Sequence, residues 1–400
     1  MMGQVIRKHS RMPVVVAYGT RPEAIKMAPV VRSLRRSASL RPVVAVSGQH
    51  REMLDQINGL FDIVPDHDLD IIRPGQSLTG ITSRALDGFS QYFEGCGACA
   101  VVVQGDTTTT FAAALAAFYN QIPVVHVEAG LRTDDRRSPY PEEINRRLTT
   151  QLADLHLAPT SLNRANLLRE GVRAQAIRVT GNTVIDAFLD VAGRQTSVDK
   201  GRIDGAIAAG RRILLVTAHR RESWGDRMVG IGRAIAELAV RFPDVLVVLP
   251  VHRNPLVREQ LLPPLMAMSN VIVTEPLGYG PFSALIAAST LVLTDSGGVQ
   301  EEAPSLGKPV LVMRDKTERP EAVHAGTVAL VGTCEDAIVE SASQLLADEE
   351  AYRAMAKAVN PYGDGKAAAR SVAAIEAMLG VGSPLPDFEV SDFAEAGLAP

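Results

Sequence analysis

LVLTDSGGVQEEAPSLGKPVLVMRDKTER, residues 291–319, reads as a buried strand, a glycine-bearing turn, a short helix and a second strand, with polar groups only at the joints. Residues 291–294 form the continuous apolar run of a strand covered on both faces. Asp295, Ser296, Gly297 and Gly298 turn the chain, and 299–306 reads as a helix stopped by Gly307. Paired glycines have no Cβ to hold a ligand off the backbone, so successive N–H groups and the positive end of the helix are free to face an anion. Glu301 and Glu302 follow in the first turns, either to complement the helix dipole or to accept hydrogen bonds from sugar hydroxyls. A capped helix with no ligand would carry the same letters, so the rest of the chain decides between the two.

Outward from this stretch the pattern repeats. Apolar runs at 14–17, 43–46, 100–103, 123–127, 155–158 and 177–180 alternate with amphipathic segments such as 24–35, 77–93 and 107–119. A second series, at 213–217, 245–250, 271–274, 291–294, 310–313 and 328–331, follows residues 193–210, whose small and charged residues suit a linker. Continuous rather than alternating hydrophobicity predicts parallel sheets with helices on both faces, hence α/β architecture with two doubly wound Rossmann-like domains. Both series open alike, VVVAYGTR at 14–21 and ILLVTAHR at 213–220, each strand ending in a polar turn with arginine. Ligands of such sheets bind beyond the carboxyl ends of the strands, which predicts that the domains face a central cleft. The expected boundaries are 1–192, the linker 193–210, 211–360 and a proline-rich, acidic, mobile tail at 381–400.

Composition narrows the function classes. The chain has 400 residues, 46% of them hydrophobic and 22% charged, with a formal net charge of −4. Two cores of ordinary size fit that length, and no basic face for nucleic acid is built. The apolar stretch 110–127 is interrupted by Asn120, Gln121, Pro123 and His126, and the N-terminal apolar run is too short for a signal peptide, so a cytoplasmic protein without membrane partners is expected. Cys96 and Cys99 form a C-x-x-C with no second ligand pair nearby and read as structural thiols. Neither GxGxxG nor G-x4-G-K-[ST] occurs, which argues against a nicotinamide cofactor and a phosphate-binding loop of the NTPase kind.

Three carboxylates sit where buried strands end: Asp106 in QGDTTTT, Glu128 in HVEAG, and Glu142 or Glu143 in SPYPEEINRR. Acids there project toward the ligand side of the fold and suit proton transfer. Each has a plainer reading, Asp106 as a cap of the helix starting at Thr107, Glu142 and Glu143 as dipole partners behind Pro141, and Glu128 as the ion-pair partner of Arg132.

GTRPEAIKMAP at 19–29, QHREMLDQ at 49–56, GDTTTT at 105–110, HVEAGLRT at 126–133, TGNTVIDA at 180–187, AHRRES at 218–223, DSGGVQEEAPSLGKPVLVMRD at 295–315 and NPYGDG at 360–365 together make the chain resemble the non-hydrolysing UDP-N-acetylglucosamine 2-epimerases. The resemblance runs from about 14 to about 379. It implies the glycosyltransferase-B arrangement of two Rossmann-like domains, with helix 366–380 crossing back to the first. It also implies reversible inversion at C2 of UDP-N-acetylglucosamine to UDP-N-acetylmannosamine, by elimination of UDP to 2-acetamidoglucal and re-addition, supplying an activated sugar for bacterial cell-surface polysaccharide. By this similarity Asp106, Glu128, Glu142, His219 and Arg146 are the catalytic candidates. Arg21, Ser296, Gly297, Gly298 and Arg319 fall around the nucleotide phosphates, Glu302 on the ribose and Phe282 near the uracil, with Lys26 a further substrate-binding residue. No metal or redox cofactor is required, the partner is the UDP-sugar, and a homodimer is expected.

Glu52 stands where allosterically activated members have glutamine, Gly75 where they have arginine, and Leu277 where close relatives often have glutamine. The first two departures weigh against activation by substrate. Other classes compatible with the motifs are an epimerase of a modified UDP-sugar such as a 2,3-diacetamido uronic acid, a B-type glycosyltransferase, the hydrolysing relative and a nucleotide-sugar sensor.

Overall fold

Both halves of the chain build an all-parallel sheet, as their continuous apolar runs require. The computed structural model describes residues 11–48, 51–73, 75–317 and 319–389. Gln49 of the 49–56 motif and the tail beyond Glu389 lie outside the described residues. In the first half β1 (Met12–Tyr18), β2 (Leu40–Val46), β3 (His67–Asp68), β4 (Ala100–Gln104), β5 (Val124–Val127), β6 (Leu155–Ala158) and β7 (Ile177–Val179) lie in the order 3-2-1-4-5-6-7. In the second, β8 (Ile213–Thr217), β9 (Leu246–Pro250), β10 (Val271–Thr274), β11 (Leu291–Thr294), β12 (Val310–Val312) and β13 (Val328–Leu330) lie in the order 10-9-8-11-12-13. All ladders are parallel. The strand order reverses between β1 and β4 in one sheet and between β8 and β11 in the other, and these are the points where open α/β sheets leave a crevice for ligand.

The two doubly wound α/β units thus agree with the expectation from patterning, and the twelve expected strands begin and end within three residues of their apolar runs. Only β3 was not expected, because two residues, His67 and Asp68, carry no apolar signal and pair only with the end of β2. The central strands are covered on both faces: Val14, Val15 and Val16 of β1 and Val101, Val102 and Val103 of β4 are buried. Helix Thr108–Tyr119 is alanine-rich and packs against helices Leu78–Phe93 and Glu142–Leu152, so the stretch nearest in hydropathy to a membrane span is a core helix. No helix among the described residues is long and apolar enough to cross a membrane. Cys96 and Cys99 are partly buried free thiols.

The chain divides between Ala187 and Phe188, inside helix Thr183–Ala192, and Gly365–Glu389 belongs to the first unit. There helix Ala367–Met378 packs on helix Arg21–Arg36, and the backbone amides of Ala367 and Ala368 donate to the buried Asp186 carboxylate at 3.1 and 2.9 Å. Residues 193–210, expected as a linker, contain helix Arg202–Ala208. Asp199 and Asp204 accept the amides of Ile203 and Val198 at 3.1 and 2.9 Å, so this segment is folded by local capping bonds. The tail also departs from expectation as far as Phe388, whose amide donates to Val179 O at 2.7 Å at the edge strand β7 while Arg370 lies over its ring.

Candidate active site

At the carboxyl ends of β4 and β5 the first unit gathers the three carboxylates and ties two of them to cations. Glu128 follows β5 with a left-handed backbone, φ +62°. Its Oε2 accepts from Lys26 Nζ at 2.5 Å and from Gln104 Nε2 at the end of β4. Asp106 follows Gly105, which has φ +71°, and its carboxylate pairs with the Arg146 guanidinium. Arg146 also reaches Glu143 at 3.1 Å, and Glu143 takes Arg147 Nε at 2.8 Å and the amide of Thr133 at 3.2 Å. Glu143 is fully buried and spent on these contacts. Glu142, beside it, has a buried Oε2 with no hydrogen-bond partner among the described residues. Glu142 and Arg146 are one turn apart on the same helix, so the unpartnered oxygen shares a face with the cation that holds Asp106.

Two of the plainer readings do not hold, while Glu142 and Glu143 do stand in the first turn behind Pro141 as the dipole reading has them. Thr107, not Asp106, caps helix Thr108–Tyr119, accepting the amide of Thr110 at 3.1 Å. Arg132 turns away from Glu128 and binds Glu170 through two bonds of 2.7 Å, because residues 128–132 are not helical and an offset of four brings nothing together there. Glu23 is a buried member of this constellation that reading by motif missed. It accepts the amides of Gly19 and Thr20 at 3.0 and 2.7 Å and the hydroxyls of Thr107 and Thr110 at 2.7 and 2.9 Å, fastening the turn after β1 to the turn after β4. Burial raises its pKa, against the pull of those bonds. Arg21 opens the helix that follows, and Lys26 lies on that helix with its amine directed to Glu128.

In the second unit the carboxyl ends of β8 and β11 carry the other set. Asp295 is fully buried; its Oδ2 accepts the amides of His219 and Arg220 at 2.6 and 2.7 Å, and its Oδ1 lies 3.1 Å from His219 Nδ1 without the alignment of a hydrogen bond. Burial pushes the Asp295 pKa up, but His219 and the two amides together outweigh it and hold the carboxyl below its ordinary value. The His219 ring is partly exposed and lies nearly parallel to His252, 5.8 Å between centroids. The sequence assigned Asp295 to a turn; the structure makes it the group that orients His219.

The helix after β11 spans Gly297–Glu302 with Ser296 at its cap, so Gly297 and Gly298 begin the helix where a preceding turn was expected. It tightens to 3-10 geometry over Ala303–Leu306, where Pro304 lacks the N–H an α-helix would use, and ends at Gly307 with φ +64°. A Cβ on Gly297 would lie 3.6 Å from Arg220 Nη2 and 3.7 Å from Arg319 Cζ, so two guanidiniums close on the bare helix start. Gly298 meets open space. Arg319 is steered there by Glu301, Nε to Oε1 2.6 Å. Glu302 is buried and accepts from Tyr279 Oη at 3.1 Å, and Phe282 is half-buried on helix Tyr279–Ala288 with Tyr279. Each unit therefore carries one set: Arg21, Lys26, Asp106, Glu128, Glu142 and Arg146 in the first, and His219, Phe282, Ser296, Gly297, Gly298, Glu302 and Arg319 in the second.

A family model described as UDP-N-acetylglucosamine 2-epimerase matches residues 32–376. The chain is 54% identical over 370 residues to the UDP-N-acetylglucosamine 2-epimerase of Escherichia coli K12, covering 91% of this chain and 98% of that one. Among solved structures, a putative UDP-N-acetylglucosamine 2-epimerase from Listeria monocytogenes superposes with TM-score 0.91 at 44% identity, covering 95% of this chain and 100% of its own. The Neisseria meningitidis UDP-GlcNAc 2-epimerase bound to UDP-GlcNAc superposes with TM-score 0.79 at 47% identity, covering 92% and 100%.

Proposed function

Since the chain belongs to the UDP-N-acetylglucosamine 2-epimerase family and is an isomerase, we propose that it inverts C2 of UDP-N-acetylglucosamine by eliminating and re-adding UDP, in the cytoplasm, to supply an activated sugar for cell-surface polysaccharide. A protein carboxylate takes the C2 proton, the C2–H electron pair becomes a C1=C2 double bond, and the C1–O bond breaks toward the β-phosphate of departing UDP. The product of this half is 2-acetamidoglucal. In the second half the phosphate oxygen adds back to C1 and a proton reaches C2 on the opposite face. C2 hydrogens are weakly acidic, so removal must be coupled to leaving-group departure, and positive charge at the diphosphate lowers that barrier.

The residues fit these demands. Arg220 and Arg319 at the Gly297 helix start supply positive charge for a diphosphate. Delivery to two faces of C2 asks for two proton carriers. The observation that carries the reading is Glu142, a carboxylate with a buried oxygen that nothing else uses, one turn from the Arg146–Asp106 pair. Glu128, held by Lys26 and Gln104, stands at the neighbouring strand end. His219, oriented by Asp295, is the second unit's group for the leaving phosphate.

The test is isotopic. With UDP-N-acetylglucosamine in D₂O and no acceptor, UDP-N-acetylmannosamine should form with deuterium at C2 and UDP still attached. A glycosyltransferase would need an acceptor and leave C2 protonated, and a hydrolysing enzyme would accumulate free sugar and UDP. Product without deuterium would remove the acid–base roles given to Asp106, Glu128 and Glu142.

Glu302→Ala is expected to weaken UDP binding by about 1.5–3 kcal/mol, the usual net value of hydrogen bonds to a charged group, with little effect on turnover of bound substrate. Contacts to ribose are equal before and during reaction, so they contribute to affinity and not to kcat. Calorimetry with UDP decides it, and unchanged affinity would end the ribose assignment.

A further inference from the structure

The turn that carries Asp106 is held in an unusual way. Three successive carbonyls each face a side-chain donor of a different element: Gly105 O accepts from His126 Nε2 at 2.7 Å and Asp106 O from Asn145 Nδ2 at 3.0 Å, while Gln104 O lies 2.6 Å from Thr110 Oγ1, whose one proton it shares with Glu23. The Gln104 carbonyl is buried and needs a partner in any fold, but Gly105 and Asp106 lie in the turn, where water would ordinarily serve, and each has a side-chain donor of its own from another element. His126 is fully buried, and burial lowers its pKa to about 3, so the ring is neutral. A carbonyl only accepts, so the bond places the proton on Nε2 and leaves Nδ1 a buried acceptor without a partner. Keeping that orphan is a cost that a phenylalanine or leucine would not carry.

The addresses of two of these donors are informative. His126 lies on β5, two residues before Glu128, and Asn145 lies on helix Glu142–Leu152, three residues after Glu142. We propose that His126 and Asn145 are positioning residues that hold the Asp106 turn in register with Glu128 and Glu142. The three carboxylates then keep one geometry while a proton leaves one face of C2 and another arrives on the opposite face. This inference rests on the acid–base reading of Asp106, which the experiment below tests separately.

Asn145→Ala and His126→Leu each remove one donor, while His126→Gln keeps a nitrogen donor close to the position of Nε2. The two deletions should lower kcat about 10–100-fold, the loss expected for small misplacement of a reacting group. KM for UDP-N-acetylglucosamine and UDP affinity should stay unchanged, and His126→Gln should recover most of the lost rate. In an Asp106→Asn background, followed by deuterium incorporation at C2, the same deletions should have little further effect, because a residue acting through Asp106 has nothing left to position. Unchanged kcat, equal losses in both backgrounds, or KM and UDP affinity moving with kcat would each overturn the inference. Should His126→Leu not fold, Asn145→Ala in the two backgrounds decides alone. Near-normal turnover of Asp106→Asn by itself would instead remove the reading of Asp106 on which the inference stands.

Discussion

Glu142→Gln is expected to lower turnover about 10²–10⁴-fold, the usual worth of a general acid or base, while UDP binds as before. The amide keeps the shape of the carboxylate but accepts no proton. Glu142 is the most informative of the three acids to change, because its Oε2 has no partner to be stranded. Asp106→Asn weakens the pair with Arg146, and Glu128→Gln takes an ion pair from Lys26 and sets a second amide against Gln104. Comparable losses of turnover are expected for both, but their interpretation needs the UDP affinity measured alongside. Near-normal turnover in Glu142→Gln would leave that carboxylate as a helix-start charge and nothing more.

A large loss of a different kind is expected for Gly130→Ala. Gly130 has φ +93°, and an added Cβ would lie 2.3 Å from the backbone oxygen of Asn163 and 2.9 Å from its carbonyl carbon. Backbone does not swing aside as the end of a side chain does, and the bond from Asn166 Nδ2 to Gly130 O at 2.9 Å ties the segment to the same helix. Destabilisation of about 3 kcal/mol or more should follow, from strain in a left-handed residue together with the clash. Gly95→Ala is the control, since Gly95 has φ +78° but no atom within 4 Å of the added carbon. It should cost only about 1–2 kcal/mol, the penalty of the left-handed region alone. Urea denaturation of both variants separates the terms, and equal losses would refute the packing argument.

The two sheets were legible because a strand buried on both faces must be apolar at every position, and runs such as those at 101–103 and 214–216 admit little else. Strand ends were legible for the same reason, and with them the places where Asp106, Glu128 and Asp295 stand. What each acid touches was not legible. Lys26 lies 102 positions from Glu128 and Arg146 lies 40 from Asp106, and no local pattern encodes which cation crosses to which anion. Reading Glu128 against Arg132 paired near neighbours in sequence, whereas Arg132 binds Glu170, 38 positions away. Gln104 was hidden because it follows the apolar run 100–103 and its partner Glu128 lies 24 positions away on the next strand's end. Assigning Gly297 and Gly298 to a turn followed from glycine's usual role, whereas here they begin a helix, with two guanidiniums beside Gly297 and open space at Gly298.

Glu128 sets the demands of the fold against the role proposed for it. Its backbone sits at φ +62°, a region where glycine or asparagine is at home and a glutamate is not. Selection for a persistent fold alone would therefore drift toward glycine at this position and gain stability by it. On the acid–base role proposed for Glu128, a library screened for thermal resistance should therefore enrich substitutions at 128 that a library screened for epimerisation discards.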